Sequence, residues 1–425
     1  MKQQRLWRAV GLVLIVMVTA TMLQYSWLRE NAFQAVRPTA IRKKPDEITP
    51  KNVSKLILAY TSLYGYPLDI TTYGRTVPEM TRTKNPLASC EYKCEWSLNK
   101  KDYNRSDAVL FHLYNNKDTK DFVLQELPKR QRASQKWVLM IREPPAFFYP
   151  EQLKLLNNLF NLSMTYQSDS DVVIPYGKYW RISYADAKKV RKTMDYLTFK
   201  KRKVAWLVSN CMTSSRRESY VQQLKKYIEI DIYGDCGQTS KKDNYKTEDF
   251  RETLGLKYIF YLAFENSDCD EYVTEKLWMS LSAGMIPIVR GQRSQYKKIA
   301  PPNSFIQADS FASPKHLADY LSIVSTNLTM LQNYHDWRLK YTSSYRLFTS
   351  NRHWVCDLCE KVHTTPTKTL NVYEHFSEDT RCLTYAKENR NRSQEHVEDI
   401  TEERRKSVAP TLPSKSRSKY KAKVY

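Results

Sequence analysis

The chain has 425 residues, 41% hydrophobic and 27% charged, which excludes a wholly disordered or fibrous protein and leaves room for two domains with separate cores. Its 68 lysines and arginines against 45 acidic residues give a formal charge of +23. That charge implies acidic partners without choosing among nucleotide phosphate, anionic glycan, lipid headgroup and nucleic acid. There is no GxGxxG and no GxxxxGK[ST], so neither a dinucleotide fingerprint nor a P-loop is present.

Residues 9–28 form an apolar run of bilayer length, preceded by Lys2, Arg5 and Arg8 and followed by Arg29 and Glu30. The positive-inside rule then puts residues 1–8 in the cytoplasm and the remainder in a lumen. A cleaved signal peptide is the rival reading, given the small residues around Thr19 to Thr21. The run continues past that point, which favours an uncleaved signal anchor. Residues 29–55 are polar, proline-bearing and aperiodic, and read as a stem.

The first domain is expected over 56–200. It opens on a strand and turn in KLILAYTSLYG, continues through strands at 108–113 and 137–141 and a helix at 150–159, and closes on a strand at 171–176 ending in Pro-Tyr-Gly. A basic run, 188–203, leads into a second unit over 201–350. There a strand at 204–208, a helix at 216–227 capped by Ser214 or Ser215, and a strand at 228–233 ending at Gly234 repeat the α/β order. Alternation of strand and helix in both halves predicts two Rossmann-like domains facing a cleft. A segment over 351–383 carries Cys356-Asp-Leu-Cys359, and 384–425, charged and then basic without an apolar period, reads as a disordered tail.

The segment 257–291, KYIFYLAFENSDCDEYVTEKLWMSLSAGMIPIVRG, is the most informative. An aromatic, apolar strand at 258–264 runs into a polar turn. Val273, Leu277 and Leu281 then recur at helical spacing, Ala283-Gly284 stops the helix, and 285–289 resumes as a strand. Ligands of open α/β sheets sit outside the carboxyl ends of strands, against helix N-termini that favour anions, so this hinge is a candidate phosphate or nucleotide site.

The eight cysteines form an even set, and sequons occur at Asn52, Asn104, Asn161, Asn327 and Asn391, all beyond the apolar run. Cys356, Cys359 and His363 with Cys90 and Cys94 could hold zinc, but an oxidising lumen favours disulfides.

FENSDCDEYVTEKLWMSLSAGMIPIVRG closely resembles the donor-site signature of the α1,3-fucosyltransferases, which move L-fucose from GDP-fucose onto glycans. WVLMIREPPAFFYP at 137–150, FNLSMTYQSDSDVVIPYG at 160–177 and WLVSNCMTSSRRESYVQQLKKYIEIDIYGDCG at 206–237 resemble the same family in the same order. The likeness spans about 55–365, and the SNC and YGDCG elements resemble its invertebrate and plant branch.

The resemblance implies a GT-B fold, a type II Golgi membrane protein, and a CxxC pair bonded back to Cys90 and Cys94. Cys211 with Cys236 is the expected third bridge, although sequence alone does not fix connectivity. It also implies that Arg216 and Lys276 contact the donor diphosphate, and that Glu275 takes the ribose hydroxyls. Tyr272 and Asn266 fall on donor-contacting positions, and Glu265 either orients the site or senses the fucose hydroxyls. Glu143, at the end of a strand and before Pro144-Pro145, is the expected general base, a carboxylate placed to take the acceptor proton. Family members carry Glu before Ser-Pro there, so the Pro pair bears on its pose.

Asp169-Ser170-Asp171 has DxD spacing, but its surroundings match a structural segment of the family, and no protein-held metal is expected. Mn2+ or Mg2+ could still stimulate by assisting the leaving group. The expected acceptor is N-acetylglucosamine in a glycoprotein N-glycan, with the core residue ahead of Lewis-type or LacdiNAc acceptors. The contrasting reading is a catalytically silent, membrane-anchored binder of anionic glycans, which the basic tail suggests and the four chemical residues Glu143, Arg216, Glu275 and Lys276 oppose. A nucleic-acid partner is not expected, since the anchor and sequons put the basic surface across the membrane from nucleic acid.

Overall fold

A computed structural model of the chain describes residues 53–70, 85–114, 127–187, 202–237, 248–291, 293–344 and 354–383. The apolar run 9–28, nearly all of the stem, the basic run 188–201, the tail 384–425 and the sequons at Asn52 and Asn391 lie outside the described residues. Among the described residues no helix is long and apolar enough to cross a membrane.

The first sheet has six parallel strands in the order β2-β1-β3-β4-β5-β6. They are β1 (Lys55–Ala59), β2 (Cys94–Ser97), β3 (Ala108–Leu113), β4 (Lys136–Ile141), β5 (Leu162–Thr165) and β6 (Val172–Val173). Every residue of β3 and β4 is buried. That follows from burying both faces: side chains alternate along a strand, so Val138 and Met140 enter one apolar cluster with Ile57 and Leu110, while Trp137, Leu139 and Ile141 enter another with Phe111 and Phe160.

The second sheet has five parallel strands in the order β12-β11-β10-β8-β9. They are β8 (Arg202–Leu207), β9 (Ile230–Tyr233), β10 (Tyr258–Leu262), β11 (Ile286–Val289) and β12 (Ile306–Gln307). Phe260 and Leu262 pack on one side with Val204 and Ile288, and Tyr261 on the other with Leu277 and Trp278. A small antiparallel pair, β7 (Lys178–Arg181) and β13 (Tyr341–Ser344), joins Arg181 to Tyr341 in register.

The helices that matter here are α1 (Pro150–Leu155), α2 (Arg217–Leu224), α3 (Glu248–Lys257), α4 (Glu275–Ser282), α5 (Pro314–Thr326) and α6 (Trp354–Thr364). Helix α6 returns to the first sheet, where Trp354, Val355, Leu358 and Cys359 share a core with Ile57 and Val138. The buried Lys136 ammonium completes its last turn by donating to the carbonyls of Val362 (2.6 Å) and Thr365 (2.5 Å), acceptors a helix end otherwise leaves open.

Both sheets reverse strand order beside their first strand, between β1 and β3 and between β8 and β10. Loops leaving neighbouring strands diverge there and open a crevice at the carboxyl ends. The two halves approach closely at Gly177, where a Cβ would lie 2.2 Å from Cγ of Trp278 on α4; only glycine leaves the indole its place. Helix α4 then ends with Gly284 in the left-handed region at φ 73°, the conformation that terminates helices most readily.

Candidate active site

On the second sheet, the loop after β10 and the loop after β8 are stitched together at the reversal point. The Ser215 hydroxyl donates to the Glu265 carbonyl at 2.8 Å and the Ser214 hydroxyl to the Asn266 carbonyl at 3.2 Å. These serines therefore do not cap α2, as their position before the helix suggests. Arg216, with φ 50°, is the N-cap residue without a side-chain cap, and α2 starts one residue later than the apolar spacing predicts.

Glu265 follows β10 and is 2% exposed. Its carboxylate accepts from the Thr274 N–H at 2.7 Å, from the Thr274 hydroxyl, and from Lys276 Nζ at 2.9 Å. It thus pins Thr274, the N-cap residue of α4, from nine residues upstream, and a negative charge is favourable beside a helix N-terminus. Lys276 also reaches Thr274 Oγ1 at 2.7 Å and Glu275 Oε1 at 3.4 Å. Burial works against its charge, but Glu265 and Glu275 outweigh burial and hold the ammonium above the ordinary lysine range. For Glu275, burial raises the carboxyl, while Lys276, its own N–H and Arg251 reverse the sign and keep it below the usual range. A fixed ammonium beside an ionised carboxylate at a helix N-terminus is chemically suited to a sugar nucleotide: cation to diphosphate, carboxylate to ribose hydroxyls.

Facing this helix end is the carboxyl edge of the first sheet. Glu143, two residues beyond β4, is half-buried. Its Oε1 accepts from the Tyr64 phenol at 2.9 Å. Burial drives the Glu143 carboxyl above the usual range; Tyr64, Lys276 and Arg142 oppose that, and Glu275 adds to it. The Tyr272 ring at the entry to α4 packs against Tyr166 and Tyr176 of the first half, so the two halves meet beside Glu143, whose carboxyl feels Lys276 and Glu275. Arg142 is buried, donates to the Ile174 carbonyl at 3.3 Å and lies 4.1 Å from the Tyr176 ring centroid. Burial pushes the His112 imidazole, at the end of β3, down to about 4, with Arg142 adding to the fall. Its Nε2 is buried with no hydrogen-bond partner among the described residues.

Two family profiles match the chain: "Fucosyltransferase, N-terminal" over residues 52–177 and "Glycosyltransferase family 10 (fucosyltransferase) C-term" over 197–378. The human 4-galactosyl-N-acetylglucosaminide 3-alpha-L-fucosyltransferase FUT6 is 32% identical over 340 residues, 79% of this chain and 88% of that protein. The chain belongs to the α1,3-fucosyltransferases of glycosyltransferase family 10. The alpha-(1,3)-fucosyltransferase C of Drosophila melanogaster is 34% identical over 336 residues, 73% of each chain. A crystal structure of an α1,3-fucosyltransferase with GDP aligns at a TM-score of 0.45 and 15% identity, over 76% of this chain and 95% of that one, a likeness too loose to bear on the site.

For this fucosyltransferase, the residues singled out from sequence fall in different situations. Glu143, Glu265, Glu275 and Lys276 converge on one place. Asn266 is half-buried in the β10 loop, and its Oδ1 has no partner among the described residues. Tyr272 is 3% exposed, with its ring 5.2 Å from Tyr166 and 6.0 Å from Tyr176, so its bulk serves packing between the halves. Arg216 is exposed at the head of α2, whereas its neighbour Arg217 is buried and donates to the Phe264 carbonyl at 2.7 Å, fixing the end of β10. Arg217, Thr274 and Tyr64, which bond the Phe264 carbonyl, Glu265 and Glu143, were not singled out from sequence, because each of these contacts joins residues well apart in the chain.

The DxD aspartates are engaged with cations of the chain: Asp169 with Arg381 at 2.5 Å and Asp171 with Lys368 at 2.6 Å. Among the described residues, one trio brings metal-capable atoms together, Cys94, Cys359 and His363. Cys94 and Cys359 are disulfide-bonded, so the zinc reading gives way to a bridge. Cys90–Cys356 and Cys211–Cys236 are also bonded, the latter linking the SNC and YGDCG elements beside the Arg216 loop. A fourth bridge, Cys269–Cys382, was not anticipated; it ties the loop after β10 to the chain's C-terminal segment.

The sequon at Asn161 is corrected by burial. Its amide is 3% exposed, accepts from Arg130 and the Trp137 N–H and donates to the Lys368 carbonyl, leaving no room for a glycan. Asn104 and Asn327 are exposed, and Asn327 also caps a helix through the Met330 N–H.

Proposed function

We propose that this enzyme is an inverting transferase of GT-B architecture that moves L-fucose from GDP-β-L-fucose to O3 of N-acetylglucosamine in glycoprotein N-glycans. The observation that carries the reading is the opposition of Glu143, its proton affinity raised by burial, to the Lys276–Glu275 pair at the N-terminus of α4. Glu143 takes the acceptor O3 proton as the oxygen attacks fucose C1. The bond from C1 to the β-phosphate oxygen breaks with its electron pair leaving on GDP, and the β linkage becomes α. Charge building on the diphosphate is met by Lys276 and, from the adjoining loop, Arg216, cations already in place before the reaction begins. Glu275 accepts from the ribose hydroxyls, and Asn266 and Glu265 complete the donor side. Metal ions stimulate, if they act, through the departing diphosphate, because the DxD carboxylates are already committed to Arg381 and Lys368.

Acceptor choice rests on loops. The human relative's name specifies a galactosylated N-acetylglucosaminide, yet its identity of 32% is close to the 34% of the Drosophila relative, so overall identity does not decide. The SNC and YGDCG elements, joined by Cys211–Cys236, favour the core residue of the N-glycan. Four disulfides and the apolar run at 9–28 support action in the Golgi lumen from a single-pass anchor. The deciding experiment combines GDP-fucose, a panel of defined N-glycan cores and galactosylated acceptors, and linkage analysis, for the wild type and Glu143→Gln. Product fucosylated at O3 by the wild type, and turnover reduced by about 100-fold or more in the variant with GDP binding kept, supports the reading. GDP binding without product makes the protein a binder instead.

A further inference from the structure

The two carboxylate oxygens of Glu143 are not equivalent. Oε1 is held by the Tyr64 phenol, and Oε2 has no hydrogen-bond donor among the described residues. Tyr64 comes from the turn after β1, at the reversal point of the first sheet, and the turn is closed by paired backbone bonds between Leu63 and Tyr66 at 2.8 and 3.0 Å. Left-handed backbone at Tyr64 (φ 51°) and Gly65 (φ 84°) folds the ring back over β3. There it lies edge-on to His112, with centroids 5.1 Å apart, and to Tyr114 at 4.9 Å. A non-glycine residue in this conformation is uncommon, and it persists only where the surroundings hold it.

We propose that Tyr64 is a positioning residue for fucosyl transfer: its phenol anchors Oε1 of Glu143 so that Oε2 alone is presented to the acceptor hydroxyl. The inference rests on Glu143 being the base. In the transfer, the acceptor O–H proton passes to Oε2, the acceptor oxygen's electron pair forms the new bond to C1, and the pair of the broken C1–O bond leaves with GDP. Tyr64 keeps its own proton throughout. Although the residue as a whole is 39% exposed, desolvation of its hydroxyl end against Glu143, together with Tyr176 and Glu143 nearby, holds the phenol above the ordinary tyrosine range, so it acts only as a donor. Donation to a carboxylate favours the ionised form, the form a base must have, and offsets part of the rise that burial imposes.

The groups facing Glu143 come from several elements. Tyr64 comes from the β1 turn, Arg142 from beside Glu143 itself, and Tyr166 and Tyr176 from after β5 and β6. Tyr272, Glu275 and Lys276 come from the entry to α4. Of these groups, Tyr64 is the one with a direct bond to the carboxylate, so its removal changes the base without touching the donor cations.

The test is Tyr64→Phe, which keeps the ring against His112 and Tyr114, measured as kcat/KM against pH with GDP affinity by calorimetry. Expected are a fall in turnover of about tenfold or more, an acid limb moved upward by roughly one pH unit, and unchanged GDP affinity. An unmoved limb with full turnover in Tyr64→Phe, or a moved limb accompanied by lost GDP affinity, overturns the role of Tyr64. Glu143→Gln separates the two readings: if it retains turnover, the base assignment itself fails, whereas its inactivity with an unaltered Tyr64→Phe removes Tyr64 alone.

Discussion

Replacing Cys269 and Cys382 together by serine separates two things the fourth disulfide does. It closes a loop of 113 residues, and it tethers the loop after β10 to the C-terminal segment that packs on the first sheet. Loop-closure entropy for a span on the order of 100 residues is about 4.7 kcal/mol, an upper bound on the stability lost. The loop's local seating has other supports. Asp270 N–H donates to the Arg381 carbonyl at 2.7 Å, Leu383 N–H to the Asp268 carbonyl at 2.8 Å, and Ser168 holds the Glu271 carboxylate through N–H at 2.6 Å and hydroxyl at 2.7 Å. At about 1 kcal/mol for each neutral bond and about 1.5–3 for each bond to the carboxylate, these keep the loop docked by roughly 5–8 kcal/mol without the bridge. The melting temperature of the double variant, followed by circular dichroism, is therefore expected to fall by roughly 5–10 °C, while calorimetry gives a GDP affinity within about twofold of wild type. A loss of affinity beyond tenfold in folded protein, or a melting temperature that does not move, refutes the reasoning.

Lys276→Ala should weaken GDP binding by roughly 10–100-fold, and by stranding the buried Glu265 carboxylate it should also destabilise the fold by about 3–5 kcal/mol, readable in a denaturant titration. Gly177→Ala drives a methyl into Trp278 and is expected to cost about 1–3 kcal/mol, with the indole fluorescence altered; wild-type stability would mean the turn moves freely. His112 is neutral in the fold with its affinity for protons depressed to about 4, against an ordinary 6.5, so the unfolded chain binds more protons between those values. Stability is accordingly complete above pH 6.5 and declines as pH falls towards 4, by up to about 3 kcal/mol from this group. His112→Gln should flatten that part of the stability–pH curve, and an unchanged slope counts against the buried neutral imidazole.

The sequence by itself determined the elements and the donor hinge. Patterns such as the all-apolar 137–141 and 258–264 reflect strands buried on both faces, and Val273, Leu277 and Leu281 mark the inner stripe of α4; local periodicity is read directly from the chain. Glu143 and the Glu275-Lys276 pair were legible for the same reason, since each lies where a recognisable strand or helix begins or ends. Tertiary structure decided what acts on them. Tyr64 reaches Glu143 across 79 residues, Ser215 reaches the Glu265 carbonyl across 50, and Cys269 finds Cys382 across 113; no local pattern encodes such pairings. Asn161 carries a valid sequon, yet the same amide is consumed inside the core, because acceptor motifs specify chemistry and only packing specifies access. Burial likewise raised the proton affinity of Glu143 and lowered that of His112, a property of the surrounding medium and not of the residue type.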